Sequence, residues 1–169
     1  MGVISLWLQP RWPLVALLAS AAMLAAAHAF ERLGGLAPCE LCLRQREVYW
    51  GAIAVAAAGL LALRFWPRRG LKRGLAVFLG LAFLTGALVA GYHVGVEQGV
   101  FFHQCDAAID PGAITTMSAG GTFFAPRCDA PAWTAFGISM AGYNAAISLA
   151  LAVGSFLVAF APQKEELRD

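Results

Sequence analysis

Four cysteines carry most of the chemistry available to this chain, and they fall into two pairs of different character. Cys39 and Cys42 stand in the run Pro38-Cys39-Glu40-Leu41-Cys42, a C-x-x-C. A disulfide closing so small a ring constrains little chain, so the pair is poor as a staple and apt for thiol–disulfide exchange. Pro38 suits the first turn of a helix and pushes Ala37 towards extended backbone. Both sulfurs would then lie in an amino-terminal turn, whose unpaired N–H groups favour a Cys42 thiolate. Arg46, four residues on, shares a helix face with Cys42 and offers a guanidinium to a thiolate or to a negatively charged oxygen. Its plainer alternative is an arginine snorkelling to an interface. Arg44 points elsewhere and reads as that kind of surface residue.

Cys105 and Cys128 bracket a stretch holding Pro111, Gly112, Gly120, Gly121 and Pro126, which discourage regular structure. A structural disulfide closing that loop would contribute ~3 kcal/mol. Beside a C-x-x-C on the same membrane face, it also reads as a disulfide on a mobile loop that relays electrons. All four cysteines could instead hold zinc, but the second pair lacks the spacing of a ligand knuckle.

The elements that must position these residues are apolar. The chain is 60% hydrophobic and 13% charged, with mean hydropathy +0.68. Four stretches, about Pro13 to Phe30, Val48 to Trp66, Leu75 to Val96 and Gly137 to Ala161, each approach the ~20 residues a helix needs to cross a bilayer. Backbone in lipid must satisfy its own hydrogen bonds, so these are helices. The expected fold is all-α: one membrane domain over residues 1–169, an antiparallel four-helix transmembrane bundle with two outer loops, about 31–47 and 97–136. Arg11, the following apolar run and Ala25-Ala26-Ala27-His28-Ala29 also fit a cleaved secretory signal. Gly91, Gly95 and Gly99, Ala52 and Ala56, and Ala54 and Ala58 have the spacing of small-residue packing stripes.

Basic residues set the orientation. Arg11, Arg64, Arg68, Arg69, Lys72, Arg73, Lys164 and Arg168 fall on one side, against Arg32, Arg44, Arg46 and Arg127 on the other. The first set is expected to be cytoplasmic, with both termini, and the cysteine loops then face an oxidising periplasm. Acidic residues, Asp106, Asp110 and Asp129 among them, gather on the cysteine side. Trp12 and Trp66 at one boundary, and Tyr49, Trp50 and Tyr92 at the other, read as interfacial anchors. No basic run interleaved with aromatics suggests nucleic acid as a partner.

With these residues in place, the chain resembles the DsbB family of inner-membrane quinone reductases. The resemblance rests on Pro38-Cys39-Glu40-Leu41-Cys42-Leu43-Arg44-Gln45-Arg46, on Gly91-Tyr92-His93-Val94-Gly95-Val96-Glu97 and on Gly137-Ile138-Ser139-Met140-Ala141-Gly142-Tyr143-Asn144. It implies that a reduced periplasmic oxidase of the DsbA type attacks the Cys105–Cys128 disulfide at Cys105. Released Cys128 attacks Cys39, and Cys42, freed beside Arg46, passes electrons to ubiquinone or menaquinone. It also implies that His93 lies near the quinone, as a proton relay or a hydrogen-bond donor; the plainer alternative is an interfacial histidine bonded to Glu97. The protein steps need only thiolate attack on disulfide sulfur. A structural disulfide below ~−300 mV would oppose oxidising a DsbA-like protein near ~−120 mV by ~8 kcal/mol, so these pairs must be unusually oxidising or continuously drained.

His28 and Glu31 end the first stretch. An ionisable group at that depth is a functional candidate, although Glu31 could simply be solvated beside Arg32. No role attaches to His103. Phe101, Phe102, Phe123 and Phe124 could dip the second loop into the interface. Two other functions stand beside the DsbB-like one. A non-catalytic four-span protein with stapled loops would need neither a C-x-x-C at a span's edge nor Arg46 beyond it. The other is a related oxidoreductase serving another dedicated partner, which the sequence discriminates poorly.

Overall fold

The computed structural model describes residues 11–103 and 127–161. Four helices make the body: α1 (Trp12–Arg32), α2 (Glu40–Phe65), α3 (Arg69–Glu97) and α4 (Met140–Phe160). Each is long and apolar enough to cross a bilayer, and the chain is a multi-pass membrane protein with an all-α four-helix bundle, as its hydropathy predicts. Outward-facing Leu18, Leu61, Phe78, Leu88 and Leu157 are exposed, as expected where lipid is the solvent.

Helices adjacent in sequence pack together, with α3 against α4 the most extensive pairing. Close approach depends on small residues: Ala52, Ala56 and Gly59 are buried along α2. On α3, a Cβ at Gly86 would press on Ser148 and Val48, and one at Gly80 on Phe156. The expected glycine stripe does not pack this way. Gly91 faces open space, Gly95 is covered by Phe101, and Gly99 takes φ +70° in the turn that leaves α3. Ala54 and Ala58 face outward.

The seam between α1 and α4 is uneven. At the basic end, Trp12 Nε1–H donates to Ser155 Oγ at 2.9 Å, and the indole lies against Gly154. Trp12 is therefore a core residue and not the interfacial anchor its position suggested. Tyr49 needs the same correction: it is 3% exposed, because polar groups of α4 draw its hydroxyl inward. Trp50 and Trp66 are exposed at the bundle surface.

A two-residue hairpin, β1 (Thr134–Ala135) and β2 (Ile138–Ser139), leads into α4 with Thr134 opposite Ser139. Its tip, Phe136 at φ +49° and Gly137 at φ +77°, has the positive φ at both positions of a type I′ turn. Ser139 then caps α4, its Oγ accepting from the Gly142 N–H at 3.1 Å.

Candidate active site

Cys39 is the N-cap of α2, with its sulfur accepting from the Cys42 N–H at 3.3 Å. Pro38 thus precedes the cap and does not occupy the first turn, because the cysteine side chain caps the helix itself. Both cysteines are free thiols, 2.7 Å apart, so closing an S–S bond of ~2.05 Å requires little movement. The hydrogen bond shared with Cys42, together with burial, pushes the Cys39 thiol above its ordinary range.

The second cysteine segment meets this pair. Cys128 is disulfide-bonded and 1% exposed, in one buried cluster with Cys39, Leu41 and Val96. Cys42 and Tyr92 pack against that cluster. Cys105 lies outside the described residues, as do Asp106, Asp110, Phe123, Phe124, Lys164 and Arg168. Beside Cys128, Arg127 and Asp129 form an exposed two-bond ion pair, and the guanidinium holds the Asp129 carboxyl below its usual range.

His93 is buried on α3, with Nε2 3.7 Å from Cys39 Sγ and 3.9 Å from Glu97 Oε1. The backbone of Cys128 bonds to the same ring. Glu97 also accepts from the Ser139 hydroxyl, which ties the end of α3 to the start of α4. The sulfurs and ring nitrogen of Cys39, Cys42 and His93 lie within 4.8 Å of one another, a soft donor set of the kind zinc uses. A four-cysteine zinc site does not fit this state, because Cys128 is already committed to a disulfide.

Arg46 is mostly buried but not idle beside Cys42. It donates to the Glu31 carboxylate and, at 3.2 Å, to the Ala27 carbonyl, both on α1. His28 Nδ1 stands 3.6 Å from the same carboxylate. Glu31 is thus not merely solvated beside Arg32, and its pairing with an arginine one loop away in sequence had no local signal. Arg44, exposed and paired with Glu47, is the surface residue it was expected to be.

Between α1 and α4 at this end lies a cavity of about 670 Å³. Met23, Leu24, Phe30, Trp133, Met140 and Ile147 give it apolar walls, while Cys42, Arg46, His93 and Glu97 converge on it. Gln45, Tyr49 and Asn144 line it as well, and sequence reasoning assigned no chemistry to any of them. The available signal was polar side chains on membrane helices, which lipid makes costly unless they are partnered.

Comparisons with known proteins agree with this arrangement. The model of a family described as "Disulfide bond formation protein DsbB" matches residues 9–158. Disulfide bond formation protein B 2 of Pseudomonas entomophila (strain L48) is 37% identical over 87 residues, covering 50% of this chain and 48% of that protein. Uncharacterized protein RP370 of Rickettsia prowazekii (strain Madrid E) is 24% identical over 159 residues, covering 90% and 89% respectively. No solved structure gives a significant match.

Proposed function

The chain belongs to the DsbB family of disulfide bond formation proteins, and from that premise we propose that it is a quinone-coupled disulfide oxidase of the bacterial inner membrane. One observation carries the reading: the Cys39–Cys42 dithiol and the disulfide-bonded Cys128 share a buried cluster, beside an apolar cavity that Arg46 and His93 also line. The basic residues at the opposite end favour cytoplasmic termini and periplasmic cysteines.

The exchange balances with thiols alone. A reduced DsbA-like partner attacks the Cys105–Cys128 disulfide at Cys105, forming a mixed disulfide and releasing Cys128. Cys128 attacks Cys39 of an oxidised Cys39–Cys42 pair and expels Cys42 as a thiolate. The partner's second thiol resolves its own mixed disulfide and frees Cys105, which then displaces Cys39 from Cys128. The products are an oxidised partner, a Cys105–Cys128 disulfide and a Cys39–Cys42 dithiol.

The cavity suits a quinone: its volume is that of a small-molecule pocket, its walls are apolar, and its polar groups cluster beside Cys42. A quinone bound there, ubiquinone or menaquinone, supplies the acceptor for two electrons and two protons. Cys39 and Cys42 give up those electrons and their thiol protons as their sulfurs join. Arg46 holds positive charge at the cavity wall, and Glu31 fixes its direction.

Quinone reduction by the purified protein with a reduced DsbA-like thiol partner tests the reading. Cys42→Ser is expected to abolish turnover, and Arg46→Ala to weaken quinone use while thiol exchange persists. Full activity of Cys42→Ser would end the proposed mechanism. Normal quinone use by Arg46→Ala would remove only the arginine's role.

A further inference from the structure

Behind His93 runs a chain of buried polar side chains that the exchange mechanism does not use. Gln45, Asn144 and Ser148 are 6%, 8% and 0% exposed. Gln45 Nε2 lies 2.8 Å from His93 Nδ1. Asn144 Nδ2 donates to Gln45 Oε1, and Asn144 Oδ1 accepts from the Tyr49 hydroxyl and, at 3.3 Å, from Ser148 Oγ. An amide NH₂ can only donate, so His93 Nδ1 accepts and the ring carries its proton on Nε2.

Turning both amides around would reverse the chain, and its His93 end decides against that. The Tyr49 hydroxyl, also 2.8 Å from Ser148 Oγ, could accept from an Asn144 amide while donating to the serine, so that end fits either sense. At the other end Nε2 faces the Glu97 carboxylate at 3.9 Å. The Cys128 backbone bonds the same ring, and with Nδ1 facing Gln45 this corner suits an Nε2–H.

We propose that Gln45 and Asn144 are positioning residues that hold His93 as the Nε2–H tautomer, a neutral donor at the corner where Cys39, Glu97 and the Cys128 backbone meet, and not an acid. Its use in catalysis rests on the quinone-coupled reading above. The physical reason is accounting of ring protons. With an amide donor aimed at Nδ1, a second ring proton has no acceptor there. A neutral ring that surrendered its single proton would become an imidazolate. His93 therefore keeps its single ring proton beside Cys39, and the protons come from the thiols of Cys39 and Cys42. A neutral histidine donor of this kind stabilises developing negative charge.

The test reads the ring directly. Protein labelled with ¹⁵N-histidine, in lipid nanodiscs without quinone, has His28, His93 and His103 to distinguish, and His93→Asn assigns the signal. At neutral pH the wild-type ring is expected to show a pyridine-type Nδ1 and a pyrrole-type Nε2. Gln45→Glu places an acceptor at Nδ1 and is expected to make that nitrogen pyrrole-type. It should also lower quinone reduction by about 10²-fold, with the KM for the thiol partner unchanged. A wild-type ring protonated at Nδ1, or a ring indifferent to Gln45→Glu, would overturn the proposal. Because the wild-type spectrum is read first, a variant that fails to fold does not shelter it. Active Cys42→Ser protein would sink the oxidase reading instead, and leave the tautomer lock standing.

Discussion

The two ends of the α1–α4 seam are built from the same pair of helices and do opposite things. At the basic end the seam is closed: Trp12 lies against Gly154 and bonds Ser155. Beside it, Arg73 of α3 donates through Nε to the Ala159 carbonyl at 2.9 Å in the last turn of α4. The bundle interior is apolar, with Leu79 and Phe83 fully buried. At the cysteine end the helices stand apart around a cavity, and side-chain hydrogen bonds replace apolar contact. Lipid tails give helix association no hydrophobic drive, so close packing must hold the bundle. A bundle packed tightly at one end can leave the other open for chemistry.

Trp12→Ala breaks the closed end and should have the largest effect on stability. Ser155 keeps its bond to the Leu151 carbonyl, so the loss is chiefly packing. The expected cost is ~3–5 kcal/mol, read from denaturant unfolding in detergent. Quinone reduction at low temperature should persist, because the cavity lies at the other end. A loss under ~1 kcal/mol would mean the seam does not depend on the tryptophan.

Glu31→Ala attacks the open end and should divide its effects the other way. It removes the carboxylate that Arg46 pairs with and leaves the guanidinium mostly buried with its bond to the Ala27 carbonyl. Because the carboxylate is about one-third exposed, the stability cost is expected to be ~1–2 kcal/mol. The KM for quinone should rise more clearly than the unfolding midpoint falls. An unchanged KM, measured against Glu31→Gln, would reduce the ion pair to a staple between α1 and α2.

The four spans were legible in the sequence, and the open end in part. Span-length apolar runs require helices in lipid, and the C-x-x-C with Arg46 one turn on announced a redox corner. What could not be read was long-range pairing. Nothing local says that Arg46 turns to Glu31, or that Gln45 reaches His93, 48 positions further along the chain. Tyr49 and Trp12 were misplaced for a related reason. An aromatic near a span's end has the same composition signal whether it anchors at the interface or turns inward to a hydroxyl or amide on a facing helix. The glycines misled in the opposite direction, since a four-residue spacing names a face but not what lies opposite.

The smallest expected effect concerns strain at the open end. Phe136 holds φ +49° at a hairpin tip with its ring 99% exposed. A bulky residue is strained there, whereas asparagine enters the left-handed region readily and Asn-Gly is a favoured type I′ pair. Phe136→Asn should therefore raise stability by ~0.5–1 kcal/mol, read as a higher unfolding midpoint, with no packed neighbour lost. The hairpin feeds Ser139, which caps α4 and bonds Glu97, so easing the tip should also leave that corner in place. An unchanged or lowered midpoint would mean that the exposed ring stabilises the protein where it stands. The open end would then owe part of its stability to an aromatic meeting its surroundings, and its contrast with the packed end would be weaker than the seam suggests.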